Sequence, residues 1–238
     1  MSVHQGWCTG VPIRGILERM KRSSPRSRRE QPESREGRKL RTRQRLVDAA
    51  FSLLDEGGGF QSLSLRRVAK RARIVPNAFY RHFADMDELG LALLDEGGRA
   101  LRQLLRQVRE AGLPDEEILR RSVEVYVIYV REHPSAFGFV SHERNGGSPR
   151  IRDAIRREMR YFASEMAADL TALDVLPNMS PSSRLMVSQL VVDIMVDAAA
   201  EILDLPRTRS DLENELVDRF VRRLVIVFLG ARAWKEPA

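Results

Sequence analysis

An all-α fold is predicted by three features of this 238-residue chain. Apolar residues recur at helical spacing almost without relief after about Gly37. Prolines and glycines cut that pattern into helix-length segments. No alternating β-branched run bounded by turns appears.

The first helix is expected from about Leu40 to Leu54, with Leu46, Val47, Ala50, Phe51 and Leu54 on one side and Gly57, Gly58 and Gly59 stopping it. A short second helix spans about Leu65 to Arg71, with Ser64 placed as its N-cap. A third covers about Pro76 to Phe83, Pro76 being suited to a first helical position. The fourth opens at the capping-box spacing of Asp85 and Glu88 and continues to about Ala111. Prolines punctuate the rest: Pro114 precedes a helix of about Asp115 to Glu132, which Pro134 ends. Pro149 opens one to about Leu173, and Pro177 and Pro181 precede about Ser182 to Leu203. Pro206 precedes about Asp211 to Trp234.

Charge divides the chain more sharply than hydropathy does. Residues 1–45 carry thirteen basic and four acidic side chains, whereas residues 46–238 carry 27 and 29. The formal charge of +7 therefore has an N-terminal source, which points to a polyanion held at one end. Up to about residue 38 the chain is rich in Arg, Ser, Pro and Gly without periodicity and reads as a flexible basic arm.

Several function classes drop out. Apolar runs are far short of the ~18–20 residues that span a bilayer, so no membrane role is expected. The start of the chain lacks the apolar stretch of a secretory signal. Cys8 is the only cysteine, which suits a reducing cytoplasm. The four histidines are scattered, and no H-E-x-x-H, Gly-x-Ser-x-Gly or phosphate-binding Gly-rich loop occurs. The sequence thus predicts no catalytic residue, no metal site and no cofactor.

The informative stretch is Leu63 to Phe83. Two short helices joined by a three- or four-residue turn make a helix-turn-helix, whose second helix enters the DNA major groove while the first crosses the backbone. Val68, Ala69, Ala72, Ile74, Phe79 and Phe83 form an apolar seam, leaving Arg66, Arg67, Lys70, Asn77, Tyr80, Arg81 and His82 accessible. Five of the six basic residues between 46 and 90 fall between Arg66 and Arg73.

Thr42-Arg43 before an apolar helix, Ser-Leu-Arg-x-Val-Ala, Phe-Tyr-Arg-His-Phe and Asp-Glu-Leu together resemble the DNA-binding domain of the TetR family of bacterial repressors, over about residues 41–91. That resemblance implies a helix-turn-helix domain over 39–90 and a helical effector-binding and dimerisation domain over 91–238. It also implies that Thr42, Arg43, Ser64, Arg66, Tyr80 and His82 position the protein on phosphates. Pro76, Asn77 and Arg81 would then face base edges of double-stranded operator DNA. Four positions depart from the family pattern: Arg73 stands where a turn glycine is usual, Val75 where a hydroxyl residue caps the recognition helix, Ala78 where a small hydroxyl residue often touches phosphate, and Met86 where a phosphate-binding lysine is common. Arg41, Arg43 and Arg45 are expected to compensate with phosphate contacts.

A closer likeness, through Ser62 to Arg66, Val75-Pro76, Phe79 to Phe83, Met86 to Leu91 and Pro134 to Phe139 followed by Glu143-Arg144, is to FabR-type repressors of unsaturated fatty acid synthesis. It implies an effector that is a long-chain acyl thioester on coenzyme A or acyl carrier protein. Tyr126, Tyr129, Phe137, Phe139, Met159, Phe162 and Met166 are candidates to line an apolar pocket, Met adapting to flexible ligands. His142, Glu143 and Arg144 are candidates to anchor a polar head. One stripe runs Val187, Leu190, Val191, Ile194, Ala198, Ile202 and another Leu216, Phe220, Leu224, Val227, Phe228, Ala231. With apolar residues off both stripes, these helices need burial on several sides, which a two-fold four-helix homodimer interface supplies. Two alternatives stand beside this reading: a TetR-type repressor of a drug or aromatic compound, and a helical acyl-coenzyme-A-binding enzyme with no DNA role.

Overall fold

The computed structural model describes residues 34–57, 59–109 and 116–235. Residues 1–33 of the expected basic arm lie outside the described residues. The chain divides into two compact units, Met1–Arg38 and Lys39–Ala238. In the first, Ser34 Oγ accepts the Gly37 N–H at 3.1 Å at the start of a helix. All packing described below is within the second.

Among the described residues there are nine α-helices and no strand: α1 Arg35–Asp55, α2 Leu65–Arg71, α3 Pro76–Phe79, α4 Met86–Arg109, α5 Glu116–Glu132, α6 Pro134–Gly146, α7 Pro149–Ala172, α8 Pro181–Asp204 and α9 Ser210–Ala233. A single 3-10 turn, Phe60–Ser62, lies between α1 and α2. None of the described helices is long and apolar enough to cross a membrane.

Side-chain capping fixes the starts of α2, α4, α7 and α8. Ser64, Ser148 and Ser180 each accept the amide three residues on, and Pro149 and Pro181 occupy the first helical turn behind the latter two. At α4, Asp85 Oδ1 accepts the Glu88 N–H at 2.7 Å while Glu88 Oε2 accepts the Ala84 N–H at 2.6 Å, a reciprocal pair of the capping-box kind.

Three expectations need correction. The first helix begins at Arg35 rather than Leu40. The third ends at Phe79, not Phe83, because Phe79 and Phe83 are both pulled into the core and the chain must turn before Asp85 can cap α4. The Phe79 carbonyl accepts both the His82 and Phe83 amides, at 2.8 and 3.0 Å, which closes that turn. Pro134 does not merely end α5: it opens α6, a helix the periodicity did not reveal. With Gly138 in its middle and apolar residues spread around it, α6 lacks a clean amphipathic stripe.

Two buried clusters form. One joins α1, α2, α3 and the start of α4 with Phe139, Ile151, Ala154 and Ile155 of α6 and α7. The other is built from α5, α8 and α9 together with Leu170, Val175, Leu176 and Met179. Most of the two apolar stripes is used within this chain: Val187, Val191, Ala198, Ile202, Leu216, Phe220, Leu224, Phe228 and Ala231 are buried. What α8 and α9 leave exposed is Leu190 of the first stripe together with Met186, Ile226 and Leu229.

Candidate functional site

The reading surface is assembled from α1, α2, α3 and the turn after it. Val68, Ala69 and Phe79 are fully buried, so α2 and α3 are pinned against α1 by their apolar sides and turn their polar sides outward. Arg66, Arg67, Lys70, Asn77, Tyr80 and Arg81 are all exposed. Pro76 is exposed at the first position of α3, and Val75 before it supplies no side-chain cap, as its aliphatic side chain requires. Ser64 is exposed but its Oγ accepts the Arg67 N–H at 3.3 Å, so it serves α2 as well as any partner outside.

The turn between α2 and α3 takes the conformation its sequence disfavours. Arg73 has φ 56°, a left-handed geometry that costs a non-glycine residue on the order of 1–2 kcal/mol. A Schellman arrangement holds it there: Ile74 N–H donates to the Ala69 carbonyl at 3.0 Å and Arg73 N–H to the Lys70 carbonyl at 3.1 Å. Arg45 of α1 then donates from Nη2 to the Ala72 carbonyl, with the Arg73 carbonyl at 3.3 Å. Arg45 therefore braces the turn. Arg71 is likewise occupied, donating to Ser52 Oγ at 2.6 Å and pairing with Glu56.

Arg43, Arg81 and His82 come together. The Arg43 guanidinium lies 4.8 Å over the Phe83 ring, half-buried on α1 beside Thr42. Burial, then the charges of Lys39, Arg43 and Arg81, holds the His82 imidazole below its ordinary pKa. Its Nδ1 is buried and unpaired among the described residues. Lys39, Arg43 and Arg81 thus gather positive charge around His82, where a phosphate would relieve their repulsion.

The second site is a cavity of about 190 Å³ between α4, α5, α6, α7, α8 and α9. Tyr126, Phe137, Met159, Phe162 and Met166 line it together. The Tyr126 and Phe137 rings meet edge-on at 5.6 Å, and Tyr126 Oη donates to the Met195 carbonyl at 2.9 Å, so its hydroxyl is already used and its burial raises its pKa. Tyr129 and Phe139 lie outside the cavity. Tyr129 stacks on His133, its pKa pushed up to about 12 by burial with Glu132 and Glu96 adding. Phe139 points the other way, edge-on to Phe60 at 5.2 Å. Glu143 is buried and accepts the Gln61 amide at 2.8 Å, so it anchors the 3-10 turn instead of a ligand. His142 Nδ1 sits 2.6 Å from the Gly138 carbonyl, and Arg144 pairs with Asp197 at 3.0 Å.

Much of the lining was not foreseen. Leu94, Gly97 and Gly98 of α4, Ser122 of α5, Val192 and Met195 of α8 and Phe228 of α9 all contribute. One signal was available: consecutive glycines inside a long helix are costly unless a neighbour approaches closely. A side chain at Gly98 would collide with the Glu158 carboxylate, which sits against it and pairs with Arg102. The cavity's contact with the reader is also explicit. Helix α6 lines it through Phe137, Val140 and Ser141 while gripping Phe60 and Gln61 through Phe139 and Glu143. Helix α7 is tied to α4 by Ser148 Oγ donating to Asp87 at 2.8 Å and by Arg150 with Asp85 at 3.1 Å.

Comparison with known proteins agrees with this layout. Residues 46–93 match the family described as bacterial regulatory proteins, tetR family, and residues 115–223 match the tetracyclin repressor-like C-terminal domain. Among solved structures, a TetR-family transcriptional regulator from Streptomyces coelicolor superposes with a TM-score of 0.59 at 20% identity, over 81% of this chain and 97% of that one. The fatty acid degradation regulator FadR from Bacillus halodurans gives 0.59 at 14%, over 85% and 97%. The FadR from Bacillus subtilis, solved with stearoyl-CoA, gives 0.59 at 12%, over 79% and 98%. At these identities the likeness is one of fold.

Proposed function

Because the chain belongs to the TetR family of bacterial transcriptional regulators, ligand-responsive proteins that bind DNA as dimers, we propose that it is a cytoplasmic repressor of fatty acid metabolism genes that senses long-chain acyl thioesters. One observation carries the reading: a single helix, α6, lines an apolar cavity on one side and holds the DNA-reading unit on the other. A ligand shifts an equilibrium only through differential affinity for two arrangements, and α6 with α4 is the element both sites touch.

Residues 39–90 act as reader and residues 91–238 as effector-binding and dimerising domain. Thr42, Arg43, Ser64, Arg66, Tyr80 and His82 take phosphates; Pro76, Asn77 and Arg81 face bases, Arg81 suited to guanine and Asn77 to adenine. The exposed Met186, Leu190, Ile226 and Leu229 supply the two-fold interface, which sets two readers one DNA turn apart, ~34–36 Å. Cavity chemistry supports an acyl chain: its lining is overwhelmingly aliphatic and aromatic, with two methionine side chains from α7 that adapt to a flexible tail. FadR-type neighbours solved for fatty acid regulation, one holding stearoyl-CoA, support the same ligand class.

The test is operator footprinting with the Arg81→Ala variant. Loss of Arg81 is expected to weaken binding by ~1–3 kcal/mol and to relax preference at one base pair per half-site. An unchanged preference removes Arg81 from the reading role. Affinity of the wild type should also fall steeply with salt, log K against log salt having a slope of about −0.9 per phosphate neutralised.

A further inference from the structure

A second basin, of about 360 Å³, adjoins the apolar cavity: Ile155, Met159 and Val192 line both. Its polar walls are unlike those inside. Arg144, Arg156, Arg160, Asn145 and Gln189 face it, with Asp193 as its carboxylate among the described residues. Among the described residues the cavity proper has no Lys, Arg or His in its lining, and its polar groups are Ser122, Ser141, Glu158, Asp169 and the Tyr126 hydroxyl. Arg102 stands behind that wall, but it is engaged by Glu158, with Glu165 at 3.9 Å, and lies over the Phe162 ring at 5.5 Å.

The two compartments therefore select opposite properties along one elongated ligand. An anion inside the cavity would be desolvated next to Glu158 and Asp169 with no cation facing it among the described residues, which is unfavourable. A neutral carbonyl at that depth meets no such penalty. Outside, Arg156 and Arg160 stand one helical turn apart on α7, a like-charge spacing that is disfavoured unless an anion lies between them. Arg156 has Asp153 at 2.8 Å, Arg144 has Asp197 at 3.0 Å, and Arg160 is exposed with no carboxylate partner among the described residues.

Resting on the acyl reading above, we infer that the basin is a head-group site: it binds the phosphate-bearing carrier of an acyl ester on Arg156 and Arg160, and the cavity rejects the free fatty acid. A free acid would bury its carboxylate among carboxylates, whereas an ester places a neutral carbonyl there and its negative charge in the basin. The site thus makes the protein a sensor of activated chains in particular.

Calorimetric titration of the full-length protein with oleoyl-coenzyme A, methyl oleate and oleate tests this, using wild type, Arg160→Gln and Arg156→Gln/Arg160→Gln. Wild type should bind oleoyl-coenzyme A about 100-fold tighter than oleate. The single variant should lose about tenfold toward oleoyl-coenzyme A and the double variant more, since each charge-assisted contact is worth about that factor. Methyl oleate affinity should be equal in all three proteins, which also shows that the variants fold. Unchanged oleoyl-coenzyme A affinity in the double variant, equal affinity of wild type for oleoyl-coenzyme A and methyl oleate, or oleate binding as tightly as the thioester overturns the head-group site. Failure of oleoyl-coenzyme A and methyl oleate alike to bind wild type overturns the acyl reading itself, and the head-group site with it.

Discussion

The reader and the effector cavity solve opposite packing problems with the same residue types. Around α2 and α3 the interior is filled: Val68, Ala69 and Phe79 have no exposed surface, and the functional side chains project outward. Between α4 and α9 the interior is left open, and the side chains that matter project inward. A filled core fixes a rigid surface on which several polar groups hold register. An open one keeps a place for a ligand to complete the packing, at a cost in stability.

Truncation should separate the two regions most strongly. Phe79→Ala is expected to destabilise by ~3–5 kcal/mol, since the surroundings cannot collapse into the hole. Phe162→Ala, at a half-buried cavity wall, should cost about 1–2 kcal/mol. Urea denaturation checks both, and equal losses would mean the effector region is packed as tightly as the reader.

Cutting the link between them comes next. Gln61→Ala leaves the buried Glu143 carboxylate without that donor and should destabilise by ~1–3 kcal/mol. The same variant should also blunt the effect of ligand on operator affinity. Full retention of the ligand response would place the coupling elsewhere, along α4.

Legibility in the sequence follows the same division. The helix-turn-helix was visible because its exposed polar residues are closely spaced along the chain, from Arg66 to Arg81, where nothing in a core would explain them. Even there, the role of Arg45 was invisible, because its target is the backbone of a turn 27 residues away. In the effector region, Phe137 and Phe139 sit two apart on one helix, yet one lines the cavity and the other packs on Phe60. Composition cannot distinguish them; only the direction of α6 does, and α6 was itself hidden by its weak amphipathicity. In the last two helices the apolar excess was legible but its division was not: most of each stripe is buried in the chain's own core, and Met186, Leu190, Ile226 and Leu229 are left on the surface.

Smaller effects sharpen the contrast. Gly97→Leu puts a side chain into the cavity, where the nearest neighbour of a new Cβ is Ala136 at 3.5 Å. Removing a mid-helix glycine should raise stability by about 1 kcal/mol while abolishing the acyl response. In the filled reader the stabilising change is the reverse one: Arg73→Gly relieves a left-handed φ of 56° and should gain ~1 kcal/mol in thermal denaturation. A loss on Arg73→Gly would show that its side chain contributes more than its backbone costs.

The smallest expected effect is a pH dependence at His82. Its folded pKa is depressed below 6.5, so the unfolded chain binds the extra proton and stability falls as pH drops through 6.5 toward the folded value. His82→Gln should remove that acid-side slope. A DNA phosphate beside it would raise the pKa in the complex, so operator affinity of the wild type should increase on acidification over the same window.

The central claim is that ligand in the cavity is felt at the DNA. Fluorescence anisotropy of the full-length protein on its own upstream DNA, titrated with oleoyl-coenzyme A at constant salt, measures this directly. The account predicts salt-sensitive binding to a palindromic site and at least a fivefold change in affinity with ligand, about the lower bound of typical allosteric coupling. Sequence-specific binding that oleoyl-coenzyme A leaves untouched would contradict it.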